Sequence, residues 1–250
     1  MNLGIDGKAA LVLGASRGIG RGIAAALARE GARVAISSRS ADALDEAAAA
    51  IDGEVRAFPA DTDDLGRMRS LPGEVAAALG PVEILVTNTG GPPGGGALEN
   101  SPEEWEGAFR SLVLAPRALI EAVLPGMRDR GWGRIVNVSS SSIREPIPSL
   151  TLSNANRMAA LGLLETLADE VAGDGVTVNT VATGMFATER LADLHGSLEQ
   201  AEAAAKERIP AGRLGTPEEY GDLVAFLCSE RAAYLTGAVI PLDGGLLRSV

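Results

Sequence analysis

Short apolar runs alternate with longer stretches of helical period along the whole chain. KAALVLG (8–14), RVAISS (33–38), EVRAFPA (54–60), VEILVTN (82–88), GRIVNVSS (133–140), VTVNTVA (176–182) and AVIPLD (238–243) lack the regular alternation of half-exposed strands. They predict strands buried on both faces. Helical patterns fill the intervals: up to Glu30, then 41–51, 63–79, 102–130, 150–172, 189–207 and 217–228. Strand–helix alternation of this kind predicts a parallel sheet with helices on both faces. Right-handed crossovers make it doubly wound. The expectation is a single Rossmann-like α/β domain over 1–250, with about seven strands. No linker, repeat or low-complexity tract divides it.

Composition narrows the function. Hydrophobic residues make up 46% of the chain, and no apolar run reaches membrane-spanning length. The expectation is a soluble protein without a membrane partner. Net charge is −11, which disfavours nucleic acid and anionic surfaces as partners. The start of the chain reads as a first strand, not a signal peptide. One cysteine, Cys228, permits no internal disulfide and fits the cytoplasm. His195 is the lone histidine and lacks companions for a metal site. Lysines occur only at 8 and 206, and tyrosines only at 220 and 234.

The first chemical signal is GASRGIG, with glycines at 14, 18 and 20 between a strand and a helix. That context is what a dinucleotide cradle requires. Gly14 permits the tight turn, Gly18 lets backbone N–H groups approach a pyrophosphate, and Gly20 allows close helix packing. The helix N-terminus then faces the phosphates with free N–H groups and its positive dipole end.

The spacing GxxxGxG, together with DTDDL (61–65), TNTGG (87–91), GRIVNVSS, VTVNTVATG (176–184), IPAGRLGTPEEYGDLVAFL (209–227) and LTGAVIPLDGG (235–245), resembles the short-chain dehydrogenase/reductase family over nearly the whole chain. The resemblance implies cofactor contacts from Gly14, Ser16, Arg17, Gly18, Ile19 and Gly20. It assigns Asp61 to the adenine, Asn88 and Gly90 to the central part, and Thr188 to the carboxamide end. The family's NAD-selective acid would stand at Ser38. Here that position is neutral, Arg39 follows, and Arg17 lies in the loop. Two guanidiniums suit a 2′-phosphate, so the expected cofactor is NADP(H). Thr183 stands where the family usually has proline. The resemblance also implies a homotetramer that pairs helices near 102–130 and 150–172 across two-fold axes.

The family's catalytic group is Asn, Ser, Tyr and Lys. Only the serine is kept, as Ser140. The asparagine position falls at Leu112, the tyrosine at Ser153 and the lysine at Arg157, within SLTLSNANR (149–157). A serine hydroxyl is too weak an acid to replace a lysine-assisted phenol at neutral pH. Arginine stays protonated, yet it can hold an anion or a developing oxyanion. Ser153, Asn156 and Arg157 share one helical face by their i, i+3, i+4 spacing. Tyr220 and Tyr234 lie in the C-terminal segment, outside this helix.

The expected catalytic residues are therefore Ser140, Ser153 and Arg157, without metal. The expected activity is an NADP(H)-dependent oxidoreductase of atypical mechanism, acting on a small carbonyl or alcohol in the manner of the 3-oxoacyl thioester reductases that the resemblance suggests. Two alternatives stand beside it: an NADP(H)-binding protein without turnover, and a non-redox lyase resembling halohydrin dehalogenases. The substrate pocket is expected to draw on a lid at 185–208.

Overall fold

A computed structural model describes residues 1–249; Val250, the last residue of the expected domain, lies outside them. Seven strands form one parallel sheet: β1 (Ala9–Leu13), β2 (Arg33–Ser37), β3 (Val55–Ala57), β4 (Val82–Thr87), β5 (Gly133–Val138), β6 (Val176–Thr183) and β7 (Val239–Leu242). Their order is β3-β2-β1-β4-β5-β6-β7. The order reverses between β1 and β4, and ligands of such sheets bind outside the carboxyl ends of the strands at that point.

Nine α-helices are described: α1 (Gly18–Arg29), α2 (Ala41–Ala49), α3 (Leu65–Leu79), α4 (Pro102–Phe109), α5 (Ala115–Arg130), α6 (Thr151–Val171), α7 (Glu189–His195), α8 (Leu198–Arg208) and α9 (Pro217–Leu227). Strand β1 shows why the strands read as continuously apolar. Ala10 and Val12 enter one core with Ile23 and Leu27 of α1 and Val224 of α9. Ala9, Leu11 and Leu13 enter the other with Met68 of α3, Leu119 of α5 and Leu164 of α6. Each fully buried side chain of leucine or valine size contributes roughly 1.5–3 kcal/mol.

Two helical patterns break where the sequence suggested continuity. The stretch 102–130 contains a π-helical turn at Arg110–Leu114. Pro116 has no N–H for the Leu112 carbonyl, so the wider turn accommodates the interrupted ladder. The pattern over 189–207 forms two helices. Gly196, at φ 87°, stops the first, and the Ser197 hydroxyl accepts from Gln200 N to start the second.

Helix α9 lies against α1 with almost no space between backbones. A Cβ on Gly22 would sit 2.2 Å from the Pro217 carbonyl oxygen, and one on Gly221 would sit 2.4 Å from the Gly22 oxygen. This contact fixes the helix that carries Tyr220. Among the described residues, no helix is long and apolar enough to cross a membrane.

Candidate active site

The glycine turn after β1 has the shape of a cradle. Gly14 and Gly18 have φ of 58° and 54°, a region that favours glycine. A Cβ on Gly20 would meet the Gly14 oxygen at 2.2 Å, so only glycine lets α1 start so close to the turn. Asn88 donates its Nδ2 to the Gly14 oxygen at 3.1 Å, tying the end of β4 to the same turn. Ser16, Arg17 and Ile19 lie in this turn or at the first residues of α1. Gly90 follows on the exposed loop after β4, where a Cβ would meet nothing within 4 Å.

At the end of β2, the Ser38 hydroxyl is buried without a hydrogen-bond partner. Arg39 beside it is exposed, and its side chain bonds no protein group among the described residues. Asp61 lies beyond β3, its Oδ1 accepting from Asp63 N at 3.1 Å. An orphaned hydroxyl, a free guanidinium and a glycine cradle along one edge fit a phosphorylated dinucleotide. Arg17 also reaches this edge, but it is occupied: its Nη1 donates to Glu189 at the start of α7. Thr188, which caps α7 by accepting from Leu191 N, lies directly over the turn. A Cβ on Gly18 would come within 3.3 Å of Thr188 Cγ2.

Helix α6 brings Ser153 and Arg157 together. Arg157 donates from Nε to Ser153 Oγ at 3.1 Å and from Nη1 to the Val138 carbonyl at 3.0 Å. The guanidinium thus bridges α6 to the end of β5, two residues before Ser140. Its Nη2 bonds no protein group. Ser140 Oγ accepts from Ser142 N at 3.1 Å and caps a short 3-10 turn, which leaves its own O–H to donate. Asn156 does not join them; it is buried, and its amide donates back to the Leu152 carbonyl of its own helix.

Burial pushes Arg157 down to about 10. The neighbouring Tyr220 acts in the opposite direction, and the charge of Arg190 lowers it further. The guanidinium therefore stays charged throughout the neutral range.

Leu112, expected at the family's asparagine position, carries no polar group there. It lies buried in the π-helical turn against Val113 and Ala160 of α6, so this wall of the site is apolar. The loop before α6 is held in one shape. Ser149 takes φ 58°, the one non-glycine residue with positive φ among those described, and its carbonyl accepts from Gly95 N at 2.7 Å.

Tyr220 was not legible as a site residue. It is fully buried, packs edge-on against Phe186 at 5.1 Å, and its hydroxyl lies 2.8 Å from Thr183 Oγ1. The phenol and the Thr183 hydroxyl thus form a pair. Burial raises the Tyr220 phenol above its ordinary range, while Thr183 and Arg157 act to lower it. A phenol so placed is a poor acid.

The segment 185–208 supplies Arg190, another residue that sequence reasoning missed. Its Nη2 donates to the Pro92 carbonyl at 3.0 Å. The start of α7 is thus tied to the glycine turn through Glu189 and to the 90–96 loop through Arg190.

Comparison with known proteins agrees with this geometry. A family model described as Enoyl-(Acyl carrier protein) reductase matches residues 14–247. Dehydrogenase/reductase SDR family member 4 of Bos taurus is 38% identical over 247 residues, covering 97% of this chain and 88% of that protein. The 3-oxoacyl-[acyl-carrier-protein] reductase FabG of Thermotoga maritima is 32% identical, covering 97% of this chain and 99% of that protein. The crystal structure of L-sorbose reductase from Gluconobacter frateurii, complexed with NADPH and L-sorbose, superposes with a TM-score of 0.94 at 32% identity, covering 100% of both chains.

Proposed function

Because the chain belongs to the short-chain dehydrogenase/reductase family, we propose that it is an NADP(H)-dependent oxidoreductase that interconverts a small carbonyl compound and its alcohol, with Arg157 in place of the usual tyrosine–lysine pair. The observation that carries this reading is the anchoring of Arg157. Its guanidinium is fixed by Ser153 Oγ and the Val138 carbonyl, leaves Nη2 without a protein partner among the described residues, and lies at the carboxyl edge of the sheet that also carries the cradle. NADPH-bound sorbose reductase, with the same fold over its whole length, supports the cofactor. The orphaned Ser38 hydroxyl and the adjacent Arg39 and Arg17 support the 2′-phosphate form.

Gly14, Gly18 and Gly20 would hold the pyrophosphate, with Asp61 toward the adenine and Asn88, Gly90 and Thr188 along the rest. When bound, the cofactor supplies the hydride. The chain supplies stabilisation of the negative charge that develops on the carbonyl oxygen. A fixed guanidinium in a partly desolvated site is suited to this, because its donors are already oriented before the charge appears. Ser140 donates its free O–H to the same oxygen. The proton that completes the alcohol is drawn from bulk solvent through water held by Ser140 and Arg157, so that no hydroxide is left in the site. Neither serine is acidic enough to release its own proton, and Arg157 retains its charge.

The lid reading rests on α7 and α8, whose start is tied to both loops of the cleft. A homotetramer in the cytoplasm belongs to the same reading. Phe109 of α4 and Met158 of α6 remain 42% and 49% exposed, an apolar outer surface on the two helical regions expected to pair. Light scattering that returns a monomer mass at micromolar concentration contradicts the assembly.

The test of the function is a fluorescence titration with NADPH and NADH, followed by assays of NADPH oxidation across ketones, aldehydes and oxo acids. The expected outcome is tighter binding of NADPH and turnover of part of the panel. Tight NADPH binding with no turnover of any carbonyl or alcohol favours the cofactor-binding protein without redox activity.

A further inference from the structure

Two guanidiniums flank the 90–96 loop, and among the described residues neither bonds an acid. Arg157 bonds only Ser153 Oγ and the Val138 carbonyl. Arg190 bonds only the Pro92 carbonyl. The two are brought close by the loop between them. Pro92 lies on the 90–96 loop, and Gly95 of that loop exchanges backbone bonds with the entry to α6: Gly95 N donates to the Ser149 carbonyl at 2.7 Å, and Thr151 N donates to the Gly95 carbonyl at 3.3 Å. Arg190 therefore stands on one side of the loop that is stitched to Arg157's helix on the other.

Two acids on neighbouring segments are already engaged. Glu189 accepts from Arg17. Glu145, on the segment after Ser140, accepts from Arg248 N and Ser249 N at 2.8 and 2.7 Å. Tyr220 is held as a neutral phenol. In a chain of net charge −11, two neighbouring arginines that bond no carboxylate among the described residues stand out. Arg157 is partly buried and the charge of the exposed Arg190 acts on it unfavourably, a cost that an anion between them offsets.

We infer that the substrate carries a carboxylate, held by Arg190 at the mouth of the cleft, while its reacting oxygen faces Arg157: a small oxo acid or the corresponding hydroxy acid. This rests on the reading of the site as a carbonyl–alcohol oxidoreductase and adds the charge of the substrate to it. Arg190 then sets specificity. Arginine can grip a carboxylate with two parallel hydrogen bonds, and the acid form of a substrate gains this contact where an ester does not. Seating the carboxylate also relieves the repulsion between the two arginines.

The test compares pyruvate, acetoacetate and levulinate, each against its methyl ester, by calorimetric binding to the protein saturated with NADP and by NADPH oxidation. At least one acid is expected to bind about tenfold or more tightly than its ester. Arg190→Gln should abolish that preference and Arg190→Lys should restore part of it, with NADPH affinity unchanged in both. Arg190 is exposed at the start of α7, so these variants keep the fold even if Arg157→Gln does not. Esters that bind as well as acids, an acid preference that survives Arg190→Gln, or no binding by any of the acids overturns the inference. Turnover of the esters without acid preference overturns it while the oxidoreductase reading stands. Acid-selective binding without NADPH oxidation supports the carboxylate site and counts against redox chemistry.

Discussion

Arg157 donates its Nε–H to Ser153 Oγ at 3.1 Å, so the serine serves as a support for the arginine. Geometry makes the arginine the active member of this pair. The second anchor, Val138 O, survives when Ser153 is truncated. Ser153→Ala is therefore expected to have a mild effect on kcat/KM. Arg157→Ala removes a charge facing the developing oxyanion and is expected to cost about 2–4 kcal/mol of transition-state stabilisation. Ser140→Ala is expected to fall between the two or to match Arg157→Ala. Steady-state kinetics on variants that still bind NADPH decide this; abolition of turnover by Ser153→Ala alone contradicts it.

The pH profile should reflect the same assignment. Burial pushes Arg157 down to about 10, so its folded value lies below its unfolded one. The charge is complete below that value and is lost as pH rises through it. The stability contribution runs the other way: the penalty of keeping the charge buried applies below about 10 and is relieved at higher pH. Turnover should thus be independent of ionisation at Arg157 through the neutral range and decline only as pH approaches about 10. A neutral-range ionisation in kcat/KM that persists across substrates and disappears in Arg157→Lys contradicts this picture.

The Arg17–Glu189 pair gives a prediction about cofactor affinity. Both side chains are largely exposed, at 73% and 67%, and such pairs contribute about 0–1 kcal/mol. A 2′-phosphate can draw Arg17 away at little cost. Glu189→Gln is expected to tighten NADPH binding without a comparable gain for NADH, and Arg39→Ala is expected to weaken NADPH selectively. Ser38→Asp combined with Arg39→Ala should shift preference toward NADH. Fluorescence titration measures all three; equal affinities for the two cofactors in the unmodified protein refute the assignment of the 2′-phosphate site.

Much of this was legible in sequence. The apolar runs marked all seven strands; the inner ones face two cores, as β1 does with Val12 on one side and Leu11 on the other, while the edge strand β3 leaves Arg56 exposed. GASRGIG marked the cradle because its glycines are required by local backbone geometry. The register of α6 located Ser153 and Arg157. What the sequence hid depends on long-range contacts. Tyr220 meets Thr183 across 37 positions and Glu189 meets Arg17 across 172. No local pattern encodes either meeting. Arg190 lies in a segment that carries no recognisable motif. Asn156 shares a helical face with Arg157, but spacing alone does not reveal that its amide turns back to Leu152.

The Thr183–Tyr220 pair should be a coupled unit. Tyr220→Phe leaves the Thr183 hydroxyl without its partner in a largely buried setting and is expected to cost about 1 kcal/mol, with Thr183→Val costing a similar amount. The double variant should lose less than the sum of the two. Denaturant unfolding of the four proteins measures the coupling, and strict additivity rules out an energetic bond between the two hydroxyls.

Cys228 should be inert in the native protein. It is fully buried, and burial pushes its thiol up to about 12 against the opposing influence of Arg134. A thiol reagent at neutral pH is expected to label it only after denaturation; rapid native-state labelling contradicts the packing described around it.

The central claim is that hydride chemistry proceeds here with Arg157 in place of a tyrosine acid. Its most direct test is isotope transfer from NADPH deuterated at the nicotinamide C4, with the products of the oxo-acid and ketone panel analysed by mass spectrometry. The account predicts deuterium on the carbinol carbon of at least one product with the unmodified protein, and little or none with Arg157→Gln that still binds NADPH. No deuterated product from any member of the panel, or undiminished transfer by Arg157→Gln, contradicts it.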